Sequence, residues 1–475
     1  MIKKTMIYAF MGLILGSCAK HDNGESTTET EDSFLAGVEV YITESEGESR
    51  LTRADELILD EEKESRVRLE IDPAQRFQVM DGFGFALTGG SASHLNAMSS
   101  SAREALLQEL FGSGPKDIGL SYIRISIGAS DLDAEVYSYN DLPAGEIDLE
   151  QNNFSIDREK EVLIPLLKEI KTINPAIKIM ASPWSPPVWM KSNGESKGGQ
   201  LLEQYYDTYA RYFVKYFQAM KEEGIDIDAM TIQNEPLHPG NNPSMKMLPE
   251  EQANFIKRSL GPAFEAAGIN TKILLYDHNA DRPDYPISIL DDLEVRKYVE
   301  GSAFHLYGGK IDALTEVHNA HPDKGLYFTE QWFGAPGNFA GDLMWHFKVL
   351  MIGAPRNWSK NVIEWNLSSA PDLQPHTDGG CTRCLGGITI DGDQVTRNSG
   401  YYSVAHASKY VPGGSVRIAS TKSEEIPNVC FETPEGRLVM LAINESQESK
   451  EMSVSSDGGR FAVRIPAGSI ATLLW

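Results

Sequence analysis

The sequence predicts a (β/α)8 barrel with a β-sandwich side domain that is formed from both ends of the chain. Three observations lead to this fold class. Short β-rich runs that end in Gly, Pro, Asn or Asp recur between about residues 75 and 410, helical-period stretches follow several of them, and only β-type patterns follow residue 410. The β-rich runs correspond to eight barrel strands, at 79–84, 121–127, 177–182, 229–233, 273–277, 303–307, 326–330 and 362–366.

Four helices are clear between these runs, at 102–111, 160–173, 202–223 and 249–267. The last begins with Pro249 and ends before Gly268, as helices prefer. A doubly wound open sheet is the competing fold, but it would require a phosphate-binding glycine loop, and the sequence has none. The alternation therefore favours the closed barrel.

Past residue 410, alternating or apolar strands are expected at 416–419, 428–432, 438–444, 450–455, 461–465 and 470–474, with hairpin turns at 434–436 and 456–459. About 65 residues are too few for a sandwich. We expect N-terminal strands at 37–43 and 66–71 to complete it. The predicted boundaries are 36–74 for these strands, 75–410 for the barrel and 411–475 for the C-terminal part of the sandwich.

The composition is that of an ordinary globular protein with a full core, at 41% hydrophobic and 23% charged residues in a chain of 475. Lys and Arg number 43 against 68 Asp and Glu, so the formal charge is −25. Such a chain repels phosphate backbones, and nucleic acid is not expected as a partner. The acidity by itself indicates no substrate.

The first 17 residues have the pattern of a signal peptide, with Lys3 and Lys4 before the apolar run 6–15. The Leu-Gly-Ser-Cys sequence that ends at Cys18 resembles a bacterial lipobox and predicts cleavage and lipidation at Cys18. The polar residues 18–35 then form a flexible tether. We expect export across the inner membrane and a lipoprotein, at the outer membrane, the cell surface or the periplasmic face, whose only membrane contact is its anchor. The alternative is an ordinary signal peptide in which Cys18 is incidental.

Three cysteines remain. In an oxidising compartment, Cys381 and Cys384, which are flanked by glycines, favour a local disulfide. A redox pair would need a βαβ context and a zinc site two further ligands. Cys430 is expected to be a buried strand residue. We expect no cofactor and no metal, because the pairs His238/Asn241 and His376/Asp378 lack further ligands at a recognisable spacing.

Active sites of such barrels lie at the C-terminal ends of the strands. Reading the residues there gives a polar and aromatic set: Asp81, Arg124, Asp131, Trp184, Trp189, Asn234, Glu235, Asp277, His305, Tyr307, Glu330, Trp332 and Trp365. Indoles around a carboxylate-lined pocket suit sugar rings, which stack on aromatic faces while their hydroxyls bind polar groups. The alternative is that these tryptophans are core residues between the barrel and its helices.

Glu235 and Glu330 follow apolar β runs, where a charged side chain is costly unless it has a specific role. Glycoside hydrolysis needs two carboxyl groups, and with retention of configuration they lie about 5–5.5 Å apart. The fourth and seventh strands face one another across an eight-stranded barrel, so this separation is within reach.

Asn234-Glu235-Pro236, together with Glu330 at the end of strand seven, resembles the retaining glycosidases built on (β/α)8 barrels. Further segments narrow the resemblance to glycoside hydrolase family 30, the glucosylceramidase family, from about residue 66 onward. These segments are DGFGFALT from Asp81, RISIGASD from Arg124, ASPWSPPVWMK from Ala181, HLY from His305, FTE from Phe328 and EWNL from Glu364.

The resemblance implies that Glu235 is the general acid/base and Glu330 the nucleophile. It implies that Arg124 keeps Glu330 ionised, that Tyr307 bonds to it, and that His305 lies in the same pocket. The sugar would be held by Asp131, Trp184, Asn234 and Trp365. Glu235 would need a raised pKa, which burial and the charge of Glu330 can supply.

The loop 371–387 resembles the endo-β-1,6-glucanase branch of the family, and a bacterial lipoprotein suits polysaccharide capture. The predicted function is therefore that of a retaining endo-β-1,6-glucanase that acts as a monomer on β-glucan. One alternative is an exo-acting β-glucosidase or glucosylceramidase with a blind pocket. The non-enzymatic alternative is a surface glycan-binding lipoprotein on a degenerate barrel, which could have lost either glutamate.

Overall fold

The computed structural model of the chain describes residues 37–59, 63 and 65–475. The predicted signal peptide, Cys18 and the tether up to residue 35 lie outside the described residues. Within the described ranges, no helix has both the length and the apolar character needed to cross a membrane.

Eight parallel strands close into a barrel, which confirms the predicted fold class. They pair in chain order, and the eighth also pairs with the first, with Asn361 opposite Gly82. We number the barrel strands first to eighth: Gly82–Ala86, Tyr122–Ile127, Lys178–Pro183, Ala229–Thr231, Lys272–Ala280, Val299–Gly309, Gly325–Glu330 and Ser359–Asn366.

One layer of side chains fills the barrel interior, with one residue from each of the second to eighth strands: Tyr122, Met180, Ala229, Leu274, Ala303, Tyr327 and Ile363. The first strand passes this level at Gly84, where a Cβ atom would come within 1.8 Å of the Tyr122 carbonyl oxygen. Because successive side chains of a strand alternate, the residue two positions further along points inward again. The next inward positions therefore lie at the C-terminal end of the barrel.

Helices surround the barrel. The predicted helix 249–267 is continuous, as Pro249–Phe255, a π-helical turn Ile256–Leu260 and Gly261–Ala267, and it stops at Gly268 with φ +65. The other helices are Gly89–Ala97, Ser100–Phe111, Asp157–Glu161, Leu163–Ile173, Tyr206–Glu222, Asp284–Leu290, Leu293–Arg296, Ala313–Ala320, Phe339–His346, Gly353–Arg356 and Ser399–Ser408, with a second π-helical turn at Phe347–Ile352.

The β-sandwich is built from both chain ends, as predicted. Its strands are Glu39–Glu44, Thr52–Arg53, Ile58–Leu59, Val67–Val79, Val416–Ser420, Asn428–Glu432, Leu438–Asn444, Lys450–Ser456, Gly459–Ile465 and Ser469–Leu474. Cys430 is buried in the sandwich core together with Met440. The alternate residues Phe431 and Val439 belong to the core shared with the barrel helices. One layer of the sandwich therefore packs directly on the barrel.

The strand Val67–Val79 is longer than the predicted strand 66–71 and runs through the predicted domain boundary at residue 74. Its first residues pair with Met452–Ser455 in one layer, and its remainder pairs with Val416–Ser420 in the other. Pro73 suggests a strand end in the sequence, but it falls at a register shift between Asp72 and Arg76, where a ladder N–H is not required. The bend carries the chain from one layer to the other.

His406 ties the barrel to both ends of the chain. Its ring nitrogens lie 2.9 Å from Thr43 Oγ1 of the first sandwich strand and 2.8 Å from Thr472 Oγ1 of the last. Leu51 N donates to Thr43 Oγ1, and Thr472 Oγ1 donates to the His406 carbonyl oxygen, so each hydroxyl has a second partner. Burial lowers the pKa of His406 to about 3, and the neutral ring is the form that fits this network.

We expect His406 to make the protein sensitive to acid. The neutral imidazole favoured in the folded state stabilises the protein above the unfolded pKa of about 6.5, and this contribution is lost as the pH falls towards 3. Between pH 7 and 5 the loss is about 2 kcal/mol. Urea unfolding of His406→Gln should give a flatter stability curve over this interval than wild type, whereas the loop variant His376→Gln should keep the wild-type slope. Equal slopes for all three proteins would contradict the assignment.

Candidate active site

Above the interior layer, toward the C-terminal ends of the strands, the next side chains that point into the barrel are polar, with one tryptophan. In six of the seven strands that contribute to the layer, this residue stands two positions after the layer residue: Arg124, Ser182, Thr231, His305, Thr329 and Trp365. The fifth strand departs from this spacing, because a register shift and left-handed φ angles at Tyr276 and Asp277 insert one extra residue. Asp277, not residue 276, therefore enters the polar cluster.

The structure brings Glu235 and Glu330 together. Glu330 is the last residue of the seventh strand, and Glu235 follows the fourth strand with φ +48, its N–H donating to the Asp277 carbonyl oxygen at 2.9 Å. One oxygen of each carboxyl group and one nitrogen of His305 all lie within 4.8 Å of one another. Both glutamates are buried, so their charges act on each other with little screening.

Arg124 is fully buried and makes four hydrogen bonds from the second strand. It donates from Nη1 to Glu330 Oε2 at 2.5 Å. It donates from Nη2 to Asn234 Oδ1 at 2.7 Å and to Asp277 Oδ2 at 2.8 Å, and from Nε to Ser182 Oγ at 3.0 Å. The planar guanidinium thus orients the side chains of both Glu330 and Asn234. Arg124 lies beside Glu330, as expected from the sequence.

The sequence marks Asp277 only as a strand-end residue, and the structure places it at the centre of the cluster. Thr231 Oγ1 donates to Oδ2 at 2.6 Å, and Thr329 Oγ1 donates to Oδ1 at 2.7 Å. Burial would raise the pKa of Asp277, but Arg124 and His305 outweigh burial and hold that pKa below its ordinary range. Asp277 is therefore a fixed negative charge beneath the two glutamates. The bulge that turns it inward has no signal in the sequence.

His305 lies between three carboxylates. Its Nε2 is 3.1 Å from Asp277 Oδ1, and its Nδ1 is 3.5 Å from Glu235 Oε1 and 3.6 Å from Glu330 Oε1. Burial alone would lower the pKa of His305, but the surrounding negative charges raise it to about 9. The ring is therefore an imidazolium at neutral pH and neutralises part of the charge of the pair.

Burial raises the pKa of Glu330, as does the charge of Glu235, while His305 and Arg124 act in the opposite direction. Burial also acts to raise the pKa of Glu235. The hydrogen bond with His305 and the positive charge of His305 outweigh burial, so the pKa of Glu235 is lowered. The expected raised pKa of Glu235 is thus wrong, because the sequence did not reveal the imidazolium of His305 beside it.

A cavity of about 460 Å³ opens above the glutamates. The indoles of Trp184 and Trp365 form one wall, with ring centroids 5.4 Å apart, and Trp332 lines the opening. Tyr307 donates its hydroxyl hydrogen to Glu330 Oε1 at 3.0 Å and lies partly in solvent. Trp189, by contrast, packs edge-on to Tyr205 outside this cavity, which fits the alternative interpretation of a core aromatic residue.

Cys381 and Cys384 form the predicted disulfide, and the loop that carries them closes over Asp131. Cys381 N donates to Asp131 Oδ2 at 3.2 Å, and Thr377 N donates to the Asp131 carbonyl oxygen at 3.0 Å. A Cβ atom on Gly380 would come within 2.3 Å of that same oxygen. Burial, together with the charges of Glu330 and Glu235, raises the pKa of Asp131 to about 7.

Sequence reasoning missed several residues that line or contact this site. Asn241 Nδ2 donates to Glu235 Oε2 at 3.2 Å, although its pairing with His238 in the sequence suggested only loop polarity. His278 Nδ1 lies 3.8 Å from Glu235 Oε1, and Asn279 lines the cavity. The position of Asn241 in the loop that follows Glu235 could have identified it, because the loops after the strands form the active sites of such barrels.

Among the described residues, Glu235, His305 and Glu330 are the one set of His, Cys, Asp and Glu side chains whose ligand atoms converge closely enough for a metal ion. Glu330 and His305 already have charged partners in this structure. Arg124 lies 2.5 Å from Glu330, and His305 contacts Asp277 through its other nitrogen. The carboxylates can stabilise positive charge that develops on a sugar carbon above them.

Profiles of known protein families match both domains of the chain. The profile of the glycosyl hydrolase family 30 TIM-barrel domain matches residues 80–411, and that of the family 30 β-sandwich domain matches residues 414–473. The chain is 37% identical over 374 residues to an endo-1,6-β-D-glucanase of Neurospora crassa, which covers 75% of each chain. It is 30% identical to the lysosomal acid glucosylceramidase of Mus musculus, over 86% of this chain and 83% of that one.

The solved structure of the endo-β1,6-glucanase BT3312 superposes with a TM-score of 0.85 at 39% identity, over 92% of this chain and 99% of that one. SrfJ from Salmonella typhimurium superposes with the same TM-score of 0.85 at 26% identity and the same coverage. The likeness therefore extends over both the barrel and the sandwich.

We expect the disulfide loop to support sugar binding through Asp131. The double variant Cys381→Ser/Cys384→Ser frees the loop that carries the Cys381 N–H, and kcat/KM should fall by about tenfold, mostly through KM, since one hydrogen bond to a charged group is weakened. Steady-state kinetics on a soluble glucan measure the effect. Cys430→Ser, which leaves the disulfide intact, is the matched control. An unchanged kcat/KM in a double variant whose mass confirms both substitutions would rule out this role.

Proposed function

Because the chain belongs to glycoside hydrolase family 30, we propose that it hydrolyses β-1,6-linked glucan at internal linkages with retention of configuration. The observation that carries the proposal is the convergence of the Glu235 and Glu330 carboxyl groups on one cavity. Their nearest oxygens lie within 4.8 Å, which fits the separation of about 5–5.5 Å between the carboxyl groups of retaining enzymes. Inverting enzymes place the two groups about 6.5–9.5 Å apart to admit a water molecule.

In the first step, Glu330 attacks the anomeric carbon, and Glu235 passes a proton to the departing glycosidic oxygen. The carbon–oxygen bond to the leaving sugar breaks as the ester bond to Glu330 forms. In the second step, Glu235 removes a proton from a water molecule, which attacks the same carbon and frees Glu330. Two inversions leave the configuration unchanged.

Arg124 and Tyr307 favour Glu330 as the nucleophile, because both donate hydrogen bonds to its oxygens and so stabilise the ionised form. Glu235 has no arginine partner among the described residues, and it accepts a hydrogen bond from the loop residue Asn241. The proton that Glu235 needs is available on His305, whose Nδ1 lies 3.5 Å from Glu235 Oε1. Asn234, held by Arg124, lines the same cavity as both glutamates, and there its side chain can bind a sugar hydroxyl.

The substrate class rests on the relatives and on the cavity wall. Relatives from Neurospora crassa and Aspergillus fumigatus that carry the name endo-1,6-β-D-glucanase are 37% and 32% identical to this chain. Indoles on one side and carboxylates below suit a neutral glucan. Exo-acting β-glucosidase or glucosylceramidase activity uses the same two glutamates, and a purely glycan-binding protein would have no need to keep both.

The two glutamates are tested on pustulan. Glu330→Gln should abolish the release of reducing sugar, and Glu235→Gln should lower kcat by about 10²–10⁴-fold, since proton transfer contributes this much. Glu104→Gln, which changes an exposed helix residue, should retain full activity. Full activity in either active-site variant would refute the assignment of roles, and an α-anomer as the first product by NMR would refute retention.

Specificity is tested separately, with β-1,3-, β-1,4- and β-1,6-linked glucans, a xylan, an aryl β-glucoside and glucosylceramide. We expect activity on the β-1,6-glucan, with a range of oligosaccharides as the first products. Glucose as the sole product from the first minutes would indicate exo action. Cleavage of glucosylceramide but not of the glucan would replace the proposed substrate while leaving the chemistry of the two glutamates in place.

We also propose that the chain is a lipoprotein anchored through Cys18 that acts as a monomer outside the inner membrane. The lipobox-like sequence and the polar residues that follow it support the anchor. In a bacterial host, labelled palmitate should be incorporated into wild type and lost in Cys18→Ser. Wild type that remains unlabelled, while a control lipoprotein is labelled, would contradict the anchor.

Light scattering of the chain without residues 1–35 reports whether it is a monomer.

A further inference from the structure

A second cavity, of about 780 Å³, lies between the barrel and the sandwich. It shares no lining residue with the cavity above the glutamates. The sandwich contributes Phe77 and Arg417, and the barrel side contributes Lys310 and Trp358. Its volume falls within the range of about 300–1,000 Å³ that is typical of small-molecule sites.

Two arginines line this cavity with only neutral partners. Arg417 is 6% exposed and donates from Nε to Gln78 Oε1 at 2.9 Å. Arg356 donates to Ser420 Oγ at 2.8 Å and to Asn428 Oδ1 at 3.0 Å. In the described part of the chain, no carboxylate oxygen lies within 4.0 Å of either guanidinium. A buried cation without a countercharge is costly, and it is unexpected in a chain whose net charge is −25.

The free-energy cost of burying an unpaired charge is reflected in the pKa of Arg417. Burial, together with the nearby charge of Arg356, lowers the pKa of Arg417 to about 10. Its guanidinium stacks 3.8 Å above the ring of Phe77 and lies 5.0 Å from that of Trp358, which is itself stacked on His318. Packing on rings accounts for the plane of the guanidinium but leaves its Nη hydrogens directed at no acceptor that the structure describes.

Lys310 and Lys422 add two exposed cations to the lining, and neither forms an ion pair within the described residues. Asp281, Asp312 and Glu316 also line the cavity, but all three remain more than 4.0 Å from the four cations. The arginines and lysines thus present unneutralised donors to the same space. Arginine is the side chain best suited to bind an oxyanion through two parallel hydrogen bonds.

We propose that this cavity binds an oxyanion, carried by a ligand no larger than a small sugar, between Arg417 and Arg356. The anion supplies the countercharge that the two guanidiniums lack. Lys310 and Lys422 attract it at the opening, and the face of Trp358 offers a surface for an attached sugar ring.

Calorimetric titration of the full chain at constant ionic strength tests the site, with inorganic phosphate, glucuronate and neutral glucose as the three probes. We expect saturable binding of one equivalent of phosphate or glucuronate and none of glucose. Phosphate alone would identify a free inorganic anion as the ligand, and tighter binding of glucuronate would identify an acidic sugar. The absence of saturable binding for both anions would overturn the proposal.

Two sets of variants locate the site. Arg417→Lys keeps the charge but removes the two-pronged donor, and it should weaken binding by about tenfold or more. Lys310→Gln/Lys422→Gln, in which both positions are exposed, should weaken it several-fold without a risk to folding. Lys116→Gln/Lys221→Gln removes the same charge elsewhere on the surface and should leave the affinity unchanged. Equal affinity in all variants would place the anion outside this cavity and refute the proposal.

Discussion

The buried guanidinium of Arg124 is the contact on which the active site depends. It joins Glu330 of the seventh strand, Asp277 of the fifth strand and Asn234, which follows the fourth strand. A guanidinium at zero exposure is stable because carboxyl groups lie against it, and its charge in turn acts to lower the pKa of Asp277 and of Glu330. Removal of Arg124 would leave the buried carboxyl groups of Asp277 and Glu330 without this positive charge at the barrel mouth.

His305 extends the same electrostatic balance to Glu235. Three carboxylates lie within 3.6 Å of its ring, and its positive charge brings the cluster of Arg124, His305, Asp277, Glu235 and Glu330 close to neutral. This balance explains how two buried glutamates are tolerated side by side. It also means that the proton for the leaving group need not be held on Glu235 before the substrate binds.

The sandwich supports the barrel from the side through a core shared with the barrel helices and through His406, which reaches both terminal segments. The strand Val67–Val79 joins the two layers and leads directly into the first barrel strand. The junction is not uniformly apolar, because the two arginines beside Trp358 interrupt it. The interface between barrel and sandwich thus consists of a packed apolar core and of a cavity lined by charged side chains.

The sequence by itself determined the barrel, the two-ended sandwich, the strand-end glutamates and the disulfide pair. These features depend on local periodicity and on spacing along the chain, which a single sequence displays directly. It could not determine that Asp277 turns inward, that the Cys381 N–H reaches Asp131, or that His305 lowers the pKa of Glu235. Those facts depend on a one-residue bulge and on distances between segments far apart in the chain. Only tertiary structure decided them, because electrostatic interactions depend on separation in space and not on separation in sequence.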